Sequence, residues 1–134
     1  MDASTLEKIA DFICGDNTEK FPIYRTGSEL TRFFQRAGVN VAHDGSTRKW
    51  WTLNTLQNLK GPDLQNVILR LASPKEYGGE TNKIKLAIKT LNDILRMEGL
   101  QVSVEGVTPK FNRITPHFDF EKTEKQARKV EIAT

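Results

Sequence analysis

One cysteine and two histidines are all that this chain of 134 residues offers a soft metal or a nucleophilic dyad. A lone Cys14 excludes an internal disulfide framework, and so few thiols and imidazoles leave the common zinc constellations unassembled. A site built from carboxylates would need a recognisable spacing, and none is present. No apolar run approaches the roughly 20 residues that a membrane helix needs. There is no P-loop, no GxGxxG, no HExxH and no GxSxG. The first residues, MDASTLEKIADFI, carry acids where a secretory leader carries bases, so no export signal is expected and the cytoplasm is the default location. Repeats and low-complexity tracts are also missing. What remains is 37% hydrophobic and 28% charged, the balance of a soluble globular chain with enough length for one ordinary core.

Charge is uneven along the chain although the net value is only +3. Residues 1–22 hold five acids and two bases, whereas residues 25–60 hold six bases (Arg25, Arg32, Arg36, Arg48, Lys49, Lys60) and two acids. The basic segment can face a polyanion, or it can pair with its acidic neighbour.

Apolar spacing predicts five helices. Leu6, Ile9, Ala10 and Ile13 form the first stripe, with Ser4 or Thr5 as its cap and Gly15 as its stop. The second opens on Thr26-Gly27-Ser28-Glu29, a capping box, and runs through Leu30, Phe33, Phe34 and Ala37 to Gly38. Val39-Asn40-Val41 is short enough to be a brief strand, and Asp44-Gly45-Ser46 is a turn. A third helix, capped by Ser46 or Thr47, carries Trp50, Leu53, Leu56 and Leu59. Pro62 suits the first turn of a fourth, with Leu64, Val67, Ile68 and Leu71 on one face. The fifth holds Ile84, Ala87, Ile88, Leu91 and Leu95, and Gly99 ends it. Leu100, Val102 and Val104 alternate as a strand, and Val107–Ile114 returns as an edge strand because it contains Pro109. The expected fold is therefore α+β and mostly helical, with a C-terminal β-hairpin and a winged-helix-like second half. Residues 1–115 are expected to form one compact domain. Residues 116–134 are charged and read as a helical tail or a linker, and Phe118, Phe120, Val130 and Ile132 favour the linker.

The block from Phe21 to Trp51 crowds aromatics and cations around helix ends. Tyr24, Arg25, Arg48, Lys49, Trp50 and Trp51 are the candidate binding residues for a protein or a nucleic acid. The two indoles point about 100° apart on a helix, so one can enter the core while the other lies at its margin. An exposed indole beside Arg48 and Lys49 would stack on a base or a peptide ring. The plainer alternative packs both rings inside under arginine stems, and leaves Arg25 binding a helix-end carbonyl or Asp44. Cys14 at the end of an apolar stripe reads as a buried inert thiol.

A second candidate surface follows from the order helix, helix, hairpin over residues 62–114. In a winged helix-turn-helix the fifth helix enters the major groove and the hairpin is the wing. Lys83, Lys85, Lys89, Lys110 and Arg113 would then meet nucleic acid. Asp93, Glu98, Glu105 and the long loop from Ala72 to Glu80 argue against it, since a tight turn is expected between such helices. A third reading, a cryptic enzyme, rests on Arg36 and His43, whose separation matches the ribonuclease motif of HEPN-type domains. That chemistry needs both side chains on a helix, and Gly38 interrupts one here.

The words YRTGSELTRFF (24–34), HDGSTRKWW (43–51), LASPKEYGG (71–79) and LNDILRMEGLQVSVEGVTPKF (91–111) together resemble the domain at the N-terminus of AbiJ-type abortive-infection proteins, which act in bacterial phage defence. The resemblance covers roughly residues 5–115. It implies a recognition or regulatory module without catalytic residues, cofactor or metal. The implied trigger is a phage or host macromolecule, and a C-terminal effector domain, often a HEPN ribonuclease, would follow in cis after Phe118. The family offers no agreed functional residues to carry over.

Overall fold

The computed structural model describes residues 1–114, and the expected tail or linker at 116–134 lies outside them. Five α-helices precede a hairpin: α1 (Ala3–Cys14), α2 (Gly27–Arg36), α3 (Arg48–Gln57), α4 (Gly61–Ala72), α5 (Thr81–Leu95), then β1 (Leu100–Glu105) and β2 (Thr108–Arg113). Short 3-10 turns occupy Pro74–Tyr77 and Arg96–Glu98. The fold is α+β and mostly helical, with the helix–helix–hairpin order in its second half. Among the described residues no helix is long and apolar enough to cross a membrane, and no group of three or more His, Cys, Asp or Glu residues is placed to hold a metal.

The predicted stripes form one core, except that in α3 Trp51 and not Trp50 turns inward with Leu53 and Leu56, and Leu59 lies past the helix end. Ile9, Phe12, Ile13, Leu30, Phe33, Phe34, Leu71 and Leu91 are fully buried. Each such side chain contributes about 1.5–3 kcal/mol of apolar transfer. Aromatic edges tie the layers, with Phe33 and Phe34 5.4 Å apart and Phe34 meeting Trp51 at 5.5 Å. α1 packs on α3 and α5, and the hairpin lies across α4 and α5.

Helix ends show where local chemistry was read and where it was not. The Thr26 capping box is present, with Thr26 N donating to Glu29 Oε1 at 2.8 Å and Glu29 N to Thr26 Oγ1 at 3.3 Å. At α1 the cap is Asp2, not Ser4 or Thr5: its carboxylate accepts from Ser4 N at 2.9 Å, and Thr5 is buried and donates to Glu98. At α3 the cap position is Thr47, but neither Ser46 nor Thr47 caps with its side chain. The Ser46 hydroxyl donates to Asp44 at 2.5 Å, and the Ser46 carbonyl accepts from His43 Nε2 at 2.8 Å. Val39–Val41 is irregular and not a strand.

The hairpin is antiparallel with Val102 opposite Phe111 and Val104 opposite Pro109. Asn92 on α5 fixes it in place. Its amide donates to Val102 O at 3.1 Å and accepts from Val102 N at 2.7 Å, so one side chain pairs both backbone groups that Val102 turns away from β2.

Candidate functional site

The chain between α1 and α2 is positioned by Gly15. Its φ of 71° is the left-handed cap conformation, and a Cβ there would stand 1.7 Å from Ile23 O. No other residue permits this approach. The return segment is held by Arg25 N donating to Cys14 O at 3.0 Å.

Arg48, at the start of α3, closes the junction. Its Nε donates to Arg25 O (2.8 Å), its Nη2 to Cys14 O (2.7 Å) and its Nη1 to Asp16 Oδ1 (2.8 Å), while its guanidinium lies 4.3 Å from the Tyr24 ring centre. The end of α1 leaves carbonyls without helical partners, and a cation suits that negative pole. Burial disfavours the Arg48 charge, but the hydrogen bond to Asp16 together with the charges around it outweighs burial and holds the guanidinium above its usual range. Arg48 is thus a clamp between α1, the loop and α3. Cys14 beside it is fully buried; burial pushes its thiol up, against the 3.6 Å contact with Thr52 Oγ1, so the sulfur is a poor nucleophile.

Arg25 has no outward face. It is 2% exposed, which withdraws it from the binding surface expected of it. Its Nη1 donates to Ile13 O at 3.0 Å, its guanidinium stacks 4.6 Å from the Phe33 centre, and its Nη2 meets Glu76 Oε2 at 2.9 Å. Glu76 lies in the 3-10 turn after α4, where the sequence showed only a loop. Two more arginines converge on it. Arg36 makes a bidentate pair (Nε to Oε1 3.0 Å, Nη2 to Oε2 2.5 Å), and Arg70 Nε donates to Oε1 at 2.7 Å. Burial would push the Glu76 carboxyl up, but hydrogen bonds from Arg36, Arg25 and Arg70 outweigh it and hold it below the usual range.

Trp50 and Trp51 part company as their helical spacing requires. Trp51 is half-buried against Phe34 and the His43 ring, 5.1 Å away. Trp50 is 56% exposed and Tyr24 47%. Lys49 lies 5.1 Å from the Trp50 ring and 3.2 Å from Asp11 Oδ1. The accessible part of the first candidate surface is therefore Tyr24, Lys49 and Trp50, carried on the Arg48 clamp, with Trp51 as its inner anchor.

Arg36 and His43 are not brought into one catalytic arrangement. Arg36 faces Glu76, while the His43 ring lies between Trp51, Ser46 O and Gly45 N. Along the second candidate surface, Lys83 pairs with Glu80 at 3.5 Å, Lys89 with Asp93 at 3.3 Å and Lys110 with Glu105 at 3.1 Å. Lys85 and Arg113 are exposed and have no ion pair among the described residues. No family model, curated protein or solved structure matches this chain.

Glu76 and Arg70 are the residues that sequence reasoning missed. The three arginines lie 51, 40 and 6 positions from the carboxylate. Only the last separation is local, and it crosses a helix end. The signal that was available is Pro74 before and Gly78 after Lys75-Glu76-Tyr77, which marks an ordered turn.

Proposed function

We propose that this chain is a non-enzymatic recognition module whose partner is a protein, met through the surface of Tyr24, Lys49 and Trp50. The observation that supports this is an indole left 56% exposed on the first turn of a helix whose neighbouring arginine is fixed by three hydrogen bonds. A rigidly carried, exposed aromatic is what interface hot spots are made of. Asp11 and Asp16 lie beside Lys49 and Arg48, so the patch carries both signs of charge. Mixed charge around an aromatic favours a protein over a polyanion.

The setting follows the resemblance to the N-terminal domain of AbiJ-type proteins: a cytoplasmic bacterial anti-phage protein in which this module senses a trigger and an effector domain in cis responds. The test replaces Trp50 with a photo-crosslinking amino acid in the full chain, in bacteria with and without phage challenge. A discrete protein adduct that wild-type chain competes away is the expected result. An adduct with nucleic acid, or none at all, would overturn it.

The winged-helix reading has the exposed Lys85 and Arg113 in its favour. Exposed ion pairs of the Lys83, Lys89 and Lys110 kind are worth only about 0–1 kcal/mol. They do not immobilise the lysines, but they cancel much of the field a polyanion would feel at a distance. Duplex binding whose affinity falls steeply with salt, and that Lys85→Glu weakens, would restore this reading.

A further inference from the structure

The Glu76 cluster carries more positive charge than it uses. Arg25, Arg36 and Arg70 surround one carboxylate, and the neighbouring Lys75 has no ion pair among the described residues. A structural ion pair needs one arginine, and Arg25, the most deeply buried, already provides it. The other two lead outward. Their side chains are 41% and 20% exposed, and both line an open groove of about 320 Å³ between the end of α2, the second half of α4 and the hairpin turn. That lies at the lower end of the roughly 300–1,000 Å³ typical of small-molecule sites.

The groove has the parts of an anion site. Glu76 orients the two guanidiniums by their Nε edges, so neither rotates freely. Arg36 Nη1 and both terminal nitrogens of Arg70 have no protein partner among the described residues. Lys75 and the Asn66 amide line the same space, and no acid does. Leu69 on α4 and Val107 and Pro109 of the hairpin give the groove its apolar lining. The free terminal fork of Arg70 and the free Nη1 of Arg36, both on guanidiniums oriented by Glu76, suit an oxyanion, and the surplus of charge over Glu76 suits a phosphate dianion better than a single carboxylate.

We propose that this groove binds a phosphate-bearing small molecule of about mononucleotide size. Its phosphate would sit between Arg36, Arg70 and Lys75, and its less polar portion against Val107 and Pro109. Glu76 is the positioning residue, touching the arginines and not the ligand. The site shares no accessible residue with the Trp50 surface, so either proposal can fail alone.

The test titrates the full chain, at low ionic strength in a buffer free of phosphate, with inorganic phosphate, adenosine monophosphate and adenosine. Calorimetry gives affinity, and the shift in melting temperature gives an independent readout of saturable binding. Adenosine monophosphate is expected to bind at least about tenfold more tightly than adenosine. Lys75→Glu should weaken it by about tenfold or more, the loss of one charge-assisted contact, without lowering the melting temperature of the unliganded protein. Lys85→Glu, on α5, should leave affinity unchanged. A nucleotide that binds about tenfold or more tightly than inorganic phosphate identifies a phosphorylated small molecule, whereas inorganic phosphate binding as tightly would overturn the mononucleotide-sized ligand and leave free phosphate as the occupant. Saturable binding of neither, binding that Lys75→Glu leaves intact, or binding confined to long oligonucleotides would each overturn the proposal.

Discussion

Two arginine centres hold this molecule, and they work by opposite arithmetic. Around Arg48 one guanidinium serves several oxygens, two of them backbone carbonyls. Around Glu76 one carboxylate serves three guanidiniums. The first centre is half-open, close to charge balance and ties chain segments that already adjoin. The second has its carboxylate sealed at 1% exposure, is overcharged and links α2, α4 and the loop before α2. A cation among carbonyls is a fastener, whereas an anion beneath surplus cations is a fastener with charge left over. Arg25 belongs to both, through its carbonyl to the first and its side chain to the second.

The sharpest way to break this comparison is Glu76→Gln. It leaves three guanidiniums without their shared counter-charge, and should cost about 3–5 kcal/mol of stability in denaturant melts. Arg48→Ala strips two carbonyls of a donor but leaves no buried charge unpaired, and should cost less, about 2 kcal/mol. Equal losses for the two variants would show that burial does not separate them.

Acid sharpens the contrast further. The Glu76 carboxyl is held below its ordinary value of 4.5 in the folded chain, so its contribution is fully present above that value and is lost as pH falls through the lower folded value. Wild-type melting temperature should therefore drop below pH about 4.5 by an amount that Glu76→Gln lacks. The deficit of Arg48→Ala should change less over the same window, since two of the three acceptors are carbonyls and do not titrate. The smallest effect belongs to Trp50→Ala. A ring 56% exposed contributes little to the fold, and stability should stay within about 0.5 kcal/mol of wild type while the proposed partner is lost.

Most of the fold was legible because its causes are local. Thr26 and Glu29 are three residues apart and made the capping box that their identities specify. Pro62 lies in the first turn of α4, the stripes of α1, α4 and α5 faced the core, and Gly99 took the left-handed conformation, although it caps the 3-10 turn Arg96–Glu98 and α5 itself stops at Leu95. The candidate site was legible only in part. Adjacent tryptophans must diverge on a helix, so one inward and one outward ring followed from spacing; the stripe through Leu53 and Leu56 pointed to Trp50 as the inward one, and the structure reverses this because Phe34 and His43 receive Trp51. Arg25 read either as a surface cation or as a ligand of a helix-end carbonyl or Asp44, and it does bind the Ile13 carbonyl at the end of α1; its full burial was not legible because it also needs Phe33 and Glu76 to converge from separate stretches of chain. Glu76 was hidden because a carboxylate between proline and glycine looks like solvent-facing turn. Only the assembled helices bring three guanidiniums to it.

The Asn92 amide imposes a limit on what the hairpin can become. By occupying the Val102 donor and acceptor together it stands in for a neighbouring chain, and a peptide seeking to extend the ribbon on that flank must first expel it. Growth of the sheet at that point would cost α5 its grip on the hairpin.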